Sequence, residues 1–120
     1  MIRLSKGRAA AEPYWVELWP DGPRLKVRPL TSAMVLGARF AAGGTDTAAP
    51  GERTSSFVKA LARVAIVEWE GIAGEDGEAA PVEPDSIDAA FDLWQVAERF
   101  QERYLAAEES LGLVVAEKNA

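Results

Sequence analysis

Hydrophobic and polar positions alternate in two short segments near the start of the chain. The first, 14–19, is rich in aromatic and β-branched residues, and the second, 24–28, alternates between basic and apolar side chains. Between them lies Pro-Asp-Gly-Pro, a sequence typical of turns. The pattern predicts a β-hairpin over 14–28. Its inward face would carry four aliphatic side chains, Val16, Leu18, Leu25 and Val27.

Apolar residues recur at helical spacing in three later segments. They predict helices at about 32–42, 55–70 and 85–105. The second segment has two adjacent apolar lines, so we expect it to be the central helix. The third has the longest periodicity, formed by Ile87, Phe91, Trp94, Ala97, Phe100 and Tyr104.

Together these elements predict the fold class and the domain organisation. The expected fold is α+β and mostly α, with an N-terminal β-hairpin, three main amphipathic helices and a short C-terminal segment. One globular domain would span 13–116. Residues 1–12 lack any period and are expected to form a flexible N-terminus, with 117–120 as a tail.

The outer face of the predicted hairpin combines indole rings with cations. Trp15 and Trp19 would lie on the face that also carries Arg24, Lys26 and Arg28, an arrangement suited to cation–π contacts. Two tryptophans on an outer face indicate either that another part of the chain covers them or that a partner does. The sequence leaves both interpretations open.

Composition removes most kinds of catalytic and metal site. The chain has 120 residues with no histidine and no cysteine, so imidazole bases, thiol nucleophiles, zinc–thiolate sites and disulfides are excluded. We expect a protein without enzymatic activity or cofactors. Its net charge of −6 argues against nucleic acid as the main partner. No segment resembles a signal peptide or a membrane span, so we expect a cytoplasmic protein.

Charge divides the chain unevenly. Residues 1–40 carry seven basic and three acidic side chains, whereas residues 64–120 carry three basic and fourteen acidic ones. This asymmetry has two interpretations. In the first, the two parts attract each other within one fold or simply face solvent. In the second, the later part presents an acidic surface to a basic or apolar partner.

The order of several short motifs resembles the tail assembly chaperones of long-tailed bacteriophages and prophages. A helix that ends in VEWEGI at 67–72 is followed by an acidic turn and by PVEPDSI at 81–87. WVE at 15–17 and KVRPLT at 26–31 are similar to the basic hairpin and helix cap of one branch of that family. FQERYL at 100–105 and EKN at 117–119 are similar to its last helix and to the start of its low-complexity tail.

The resemblance implies a role in tail assembly. Such chaperones bind the long helical tape measure protein, keep it soluble, help to recruit tail tube subunits and are absent from the mature virion. The implied partners are the tape measure protein and the tail tube protein. Self-association stays open. Relatives often continue past the position of Ala120, which implies a truncated tail here.

Exposed apolar residues at helical spacing are what a chaperone needs to receive an amphipathic helix. We expect a groove between the second and third helices to contain Trp69, Phe91, Trp94 and Phe100, with Trp15 and Trp19 as a second candidate surface. The alternative is that these aromatic residues are core. Two other functions stay open, namely a permanent tail or head–tail connector component and a small acidic interaction protein such as an antitoxin or nucleic-acid mimic.

Overall fold

A computed structural model describes residues 12–43 and 50–109 of the chain, and it shows a mostly α, α+β fold. Three strands form one antiparallel sheet in the order β1-β2-β3. The strands are β1 (Tyr14–Glu17), β2 (Arg24–Val27) and β3 (Ile66–Glu70). The helices are α1 (Ser32–Ala42), α2 (Pro50–Ala65), α3 (Pro84–Phe91) and α4 (Trp94–Phe100), and α4 continues into a π-helical turn, Gln101–Ala106.

The predicted hairpin is confirmed. Strand β1 pairs with β2 so that Trp15 faces Lys26 and Val16 faces Leu25. The four aliphatic side chains of the inward face are buried, whereas Trp15 and Arg24 remain on the outer face. Alternation with a period of two is therefore enough to define both faces of this hairpin.

The prediction that the second helix reaches residue 70 is wrong. Helix α2 ends at Ala65, and the next five residues form β3, which pairs with β2. Ile66 and Val67 are β-branched, and Glu68 and Glu70 bring their carboxylates within 3.3 Å of Lys26 and 3.4 Å of Arg24. Cross-strand pairing with β2 thus overrides the helical spacing of the apolar residues.

The start of the second helix also differs from the prediction. Helix α2 begins at Pro50 rather than near residue 55, so part of the segment predicted as a loop is helical. Proline is favoured in the first turn because its missing N–H would have no partner within the helix there. The predicted flexible N-terminus lies outside the described residues except for Glu12, and the predicted tail lies outside them completely.

The predicted third helix is interrupted. Helix α3 ends at Phe91, and Leu93 takes an extended backbone conformation, with φ −78° and ψ 115°, before α4 begins. Ile87 and Val96 are both buried, although they are nine residues apart. Nine residues are two and a half turns of an unbroken α-helix, which would send the two side chains in opposite directions. The break lets both of them face the core.

The charge asymmetry is partly resolved within the fold. Four ion pairs among the described residues join a cation before position 64 to a carboxylate after it, namely Arg24–Glu70, Lys26–Glu68, Lys59–Asp92 and Arg63–Asp88. Arg63 donates to both carboxylate oxygens of Asp88, at 2.9 and 2.6 Å, and these hydrogen bonds raise the pKa of Arg63. Two of the four pairs join residues 1–40 to residues 64–120, as one of the two interpretations expected, and the other two start from the segment between these parts.

Candidate functional site

Two of the six predicted binding residues belong to the core. Phe91 and Phe100 are 2% and 1% exposed, and their rings meet edge to face with centroids 5.1 Å apart. Tyr104 is fully buried beside Phe100, and its hydroxyl donates to the carbonyl oxygen of Arg28 at 2.6 Å. The expected groove containing these phenylalanines is therefore not present, because the space between the helices is filled by their own side chains.

Trp69 has a structural contact on the sheet. It lies half-buried on β3, because residues 66–70 form a strand rather than the end of a helix. Its indole N–H donates to the carbonyl oxygen of Ala80 at 2.8 Å. This hydrogen bond ties the acidic loop after β3 to the sheet.

Trp15 lies on the outer face of the sheet, where it is covered by cations. The guanidinium carbon of Arg24 is 4.7 Å from the centroid of the indole ring, and the ammonium nitrogen of Lys26 is 6.0 Å from it. These distances fit cation–π contacts. Residues of the chain itself therefore cover part of this tryptophan, and 36% of it remains exposed.

Trp19 and Trp94 come together in an open cleft. Trp19 follows β1, and its indole ring lies against Gly22 of the hairpin turn, where an added Cβ would fall 2.2 Å from the indole nitrogen. A glycine at position 22 is thus required for Trp19 to occupy this place. The cleft has a volume of about 630 Å³. Its lining consists of Trp19, Leu93, Trp94, Gln95, Val96, Glu98, Arg99 and Glu102, and we refer to it as the tryptophan cleft.

The break between α3 and α4 creates this cleft. In an unbroken helix Trp94 would follow Ile87 and Phe91 on the core-facing line, as the sequence predicted. The turn at Leu93 instead directs both Leu93 and Trp94 outwards, and they are 59% and 68% exposed. Sequence reasoning missed Leu93. The signal that could have identified the break is the nine-residue spacing between the two apolar positions Ile87 and Val96.

Charged side chains border one side of the tryptophan cleft. Glu98 and Glu102 contribute two carboxylates, and Arg99 contributes one guanidinium, which lies 3.7 Å from Glu102. The border is therefore acidic by one charge. An apolar segment with flanking lysine or arginine residues would complement both the apolar lining of the cleft and this acidic border.

The described part of the chain contains no group of three or more acidic residues placed to hold a metal ion. None of its helices is long and apolar enough to cross a membrane. What this part of the chain does present is a cleft lined by the indole rings of Trp19 and Trp94 and by the exposed side chain of Leu93. Such a surface is typical of proteins that bind other polypeptides.

Comparison with known proteins adds no relative: no family model, curated protein or solved structure matches this chain.

Proposed function

We propose that the protein is a tail assembly chaperone of a long-tailed bacteriophage or prophage. It binds helical segments of the tape measure protein, keeps them soluble and helps to recruit tail tube subunits. The motif order of the sequence suggests the class, and the exposure of Leu93 and Trp94 in the tryptophan cleft is the observation that supports a binding role.

The tryptophan cleft suits an amphipathic helix. Its volume of about 630 Å³ lies within the range of ligand-binding clefts, about 300–1,000 Å³. Trp19 and Trp94 offer broad apolar surfaces, and tryptophan is among the residues that contribute most to binding when a partner covers it. A bound helix would place apolar residues at spacings of three and four in the cleft, with its polar side towards solvent.

The acidic border of the cleft indicates which segments of the tape measure protein should bind best. Glu98 and Glu102 are both more than a third exposed, so solvent screens their charges. These charges therefore influence the orientation of a bound segment more than its affinity. We therefore expect tape measure segments with lysine or arginine beside the apolar stripe to bind better than segments flanked by acidic residues.

Binding to overlapping fragments of the tape measure protein, with an unrelated coiled coil as a control, tests the proposal. We expect at least one fragment to bind and the coiled coil not to bind. Trp94→Ala should weaken binding by about tenfold or more, with little change in melting temperature because Trp94 is exposed. Equal recovery of all fragments and of the coiled coil would contradict a specific chaperone role.

Trp15→Ala is the matched control, since it removes another exposed tryptophan on the far side of the sheet. We expect it to leave binding to the tape measure fragment unchanged. If Trp15→Ala abolished binding and Trp94→Ala did not, the outer face of the sheet would be the site. Mass spectrometry of purified virions separates a chaperone, which should be absent from them, from a permanent tail component.

A further inference from the structure

Helix α1 carries a second apolar surface, separate from the tryptophan cleft. Met34 and Ala38 turn towards α2 and the core. The side of α1 away from Met34 and Ala38 is also apolar, and its members are exposed: Ala33, Leu36, Gly37 and Phe40. We call these four residues the outer face of α1, and two of them, Ala33 and Gly37, also border the cavity between α1 and α2. Phe40 is 89% and Leu36 61% exposed, so two large apolar side chains stand in solvent on one helix.

Arg39 is the only charged residue in α1, and it lies at the edge of the outer face. A helix on the surface of a monomer usually has polar residues on the side away from the core. Large apolar areas that stay exposed mark interaction surfaces. The absence of acidic residues from α1 also means that the net charge of −6 does not concentrate where two copies would meet.

Gly37 is not explained by packing within the described part of the chain. Outside the backbone of its own helix, no atom there lies within 4 Å of the Cβ that another residue would add. Glycine in the middle of a helix is less favourable than alanine by about 1 kcal/mol. A partner whose backbone or side chain packs closely against this position would require a residue as small as glycine there.

We infer that the outer face of α1 is the contact surface between two copies of this chain. An antiparallel pair of α1 helices with the twofold axis between positions 36 and 37 brings large residues opposite small ones. Phe40 of each copy would lie over Ala33 of the other, and Leu36 would lie over Gly37. The large residues of each copy would therefore meet the small residues of the other. A surface that fits itself in this way is what a twofold interface requires.

The available area agrees with a weak dimer. Helix α1 has 11 residues and is about 16 Å long. Phe40 alone offers roughly 130–220 Å² at 89% exposure, and Leu36, Ala33, Gly37 and Val64 of α2 enlarge the patch. The patch is small beside the area of about 600 Å² per partner at which specific, stable interfaces begin. We therefore expect a weak, reversible dimer.

Sedimentation equilibrium of the full chain over about 1 µM to 1 mM tests this inference. We expect a reversible monomer–dimer equilibrium. Phe40→Asp should weaken the dimer by about tenfold or more without lowering the melting temperature, because Phe40 makes little contact within the monomer. Leu93→Asp is the matched control, since Leu93 is an exposed leucine of the cleft, and the dimer should persist in this variant.

Gly37→Leu tests the register. Within one copy the added Cβ meets no atom within 4 Å, and leucine has a higher helix propensity than glycine, so the melting temperature of the monomer should rise. In the dimer the same side chain would compete with Leu36 of the other copy, so dimerisation should weaken.

A monomer at all concentrations would overturn the inference and leave the outer face of α1 to another occupant, such as the apolar residues 111–115. A dimer that both Phe40→Asp and Gly37→Leu leave intact would also overturn it, because the contact would then lie elsewhere. The inference does not depend on the tape measure protein, so its failure and the failure of the proposed function are distinguishable.

Discussion

Two groups of large side chains come from the same short stretch of chain. One group is buried in the core by α3, α4 and the π-helical turn, and the other is exposed in the tryptophan cleft. Phe91, Phe100 and Tyr104 are buried, whereas Leu93 and Trp94 are mostly exposed. All five are large and mainly apolar, so hydrophobicity does not separate the two groups. The extended backbone at Leu93 separates them, because it changes the direction in which the following residues point. Burial in this region therefore depends on helix phase, and a single break in phase is enough to expose two large apolar side chains.

The largest difference between the two groups should appear in stability. Phe100→Ala removes a ring that contacts both Phe91 and Tyr104, and it should lower the free energy of unfolding by about 3–5 kcal/mol. Trp94→Ala should change that free energy by about 0.5 kcal/mol or less, because the side chain is 68% exposed. Chemical denaturation of the two variants beside the unmodified chain measures both values. Similar losses would show that Trp94 is a core residue.

A smaller effect should come from the hydroxyl of Tyr104. Tyr104→Phe keeps the buried ring but leaves the carbonyl oxygen of Arg28 without this donor. We expect a loss of about 1–3 kcal/mol in the free energy of unfolding. Thermal or chemical denaturation provides the measurement, and the binding of a tape measure fragment in the tryptophan cleft should be unchanged. Lost binding with unchanged stability would mean that this part of the core belongs to the site.

The sequence was informative where the pattern is local. The hairpin was predicted correctly because its residues alternate with a period of two, and its turn contains Gly22. The cation–π contact of Trp15 followed from the same alternation, since the strand register brings Lys26 opposite it. In these places, residues that are close together in the sequence are enough to predict the structure.

The sequence was misleading where distant residues decide the structure. Residues 66–70 have helical spacing in their apolar positions, but the segment pairs with β2 and buries Ile66, so it becomes a strand that also places Glu68 and Glu70 beside Lys26 and Arg24. Trp94 fits the periodicity of the preceding turns, and the nine-residue spacing of Ile87 and Val96 is the one sign of a phase change, which the burial of both residues confirms. The cleft could not be predicted, because Trp19 and Leu93 meet through the tertiary fold.

The environments of the four tryptophans allow one direct test of the binding site. In a nitrogen–proton correlation spectrum each indole N–H gives its own signal. Adding a tape measure fragment should shift the signals of Trp19 and Trp94, which line the cleft. The signal of Trp69, bonded to Ala80, and that of Trp15, covered by Arg24, should stay in place. Shifts confined to Trp15 or Trp69, or no shift with a fragment that binds, would contradict the assignment of the tryptophan cleft as the binding site.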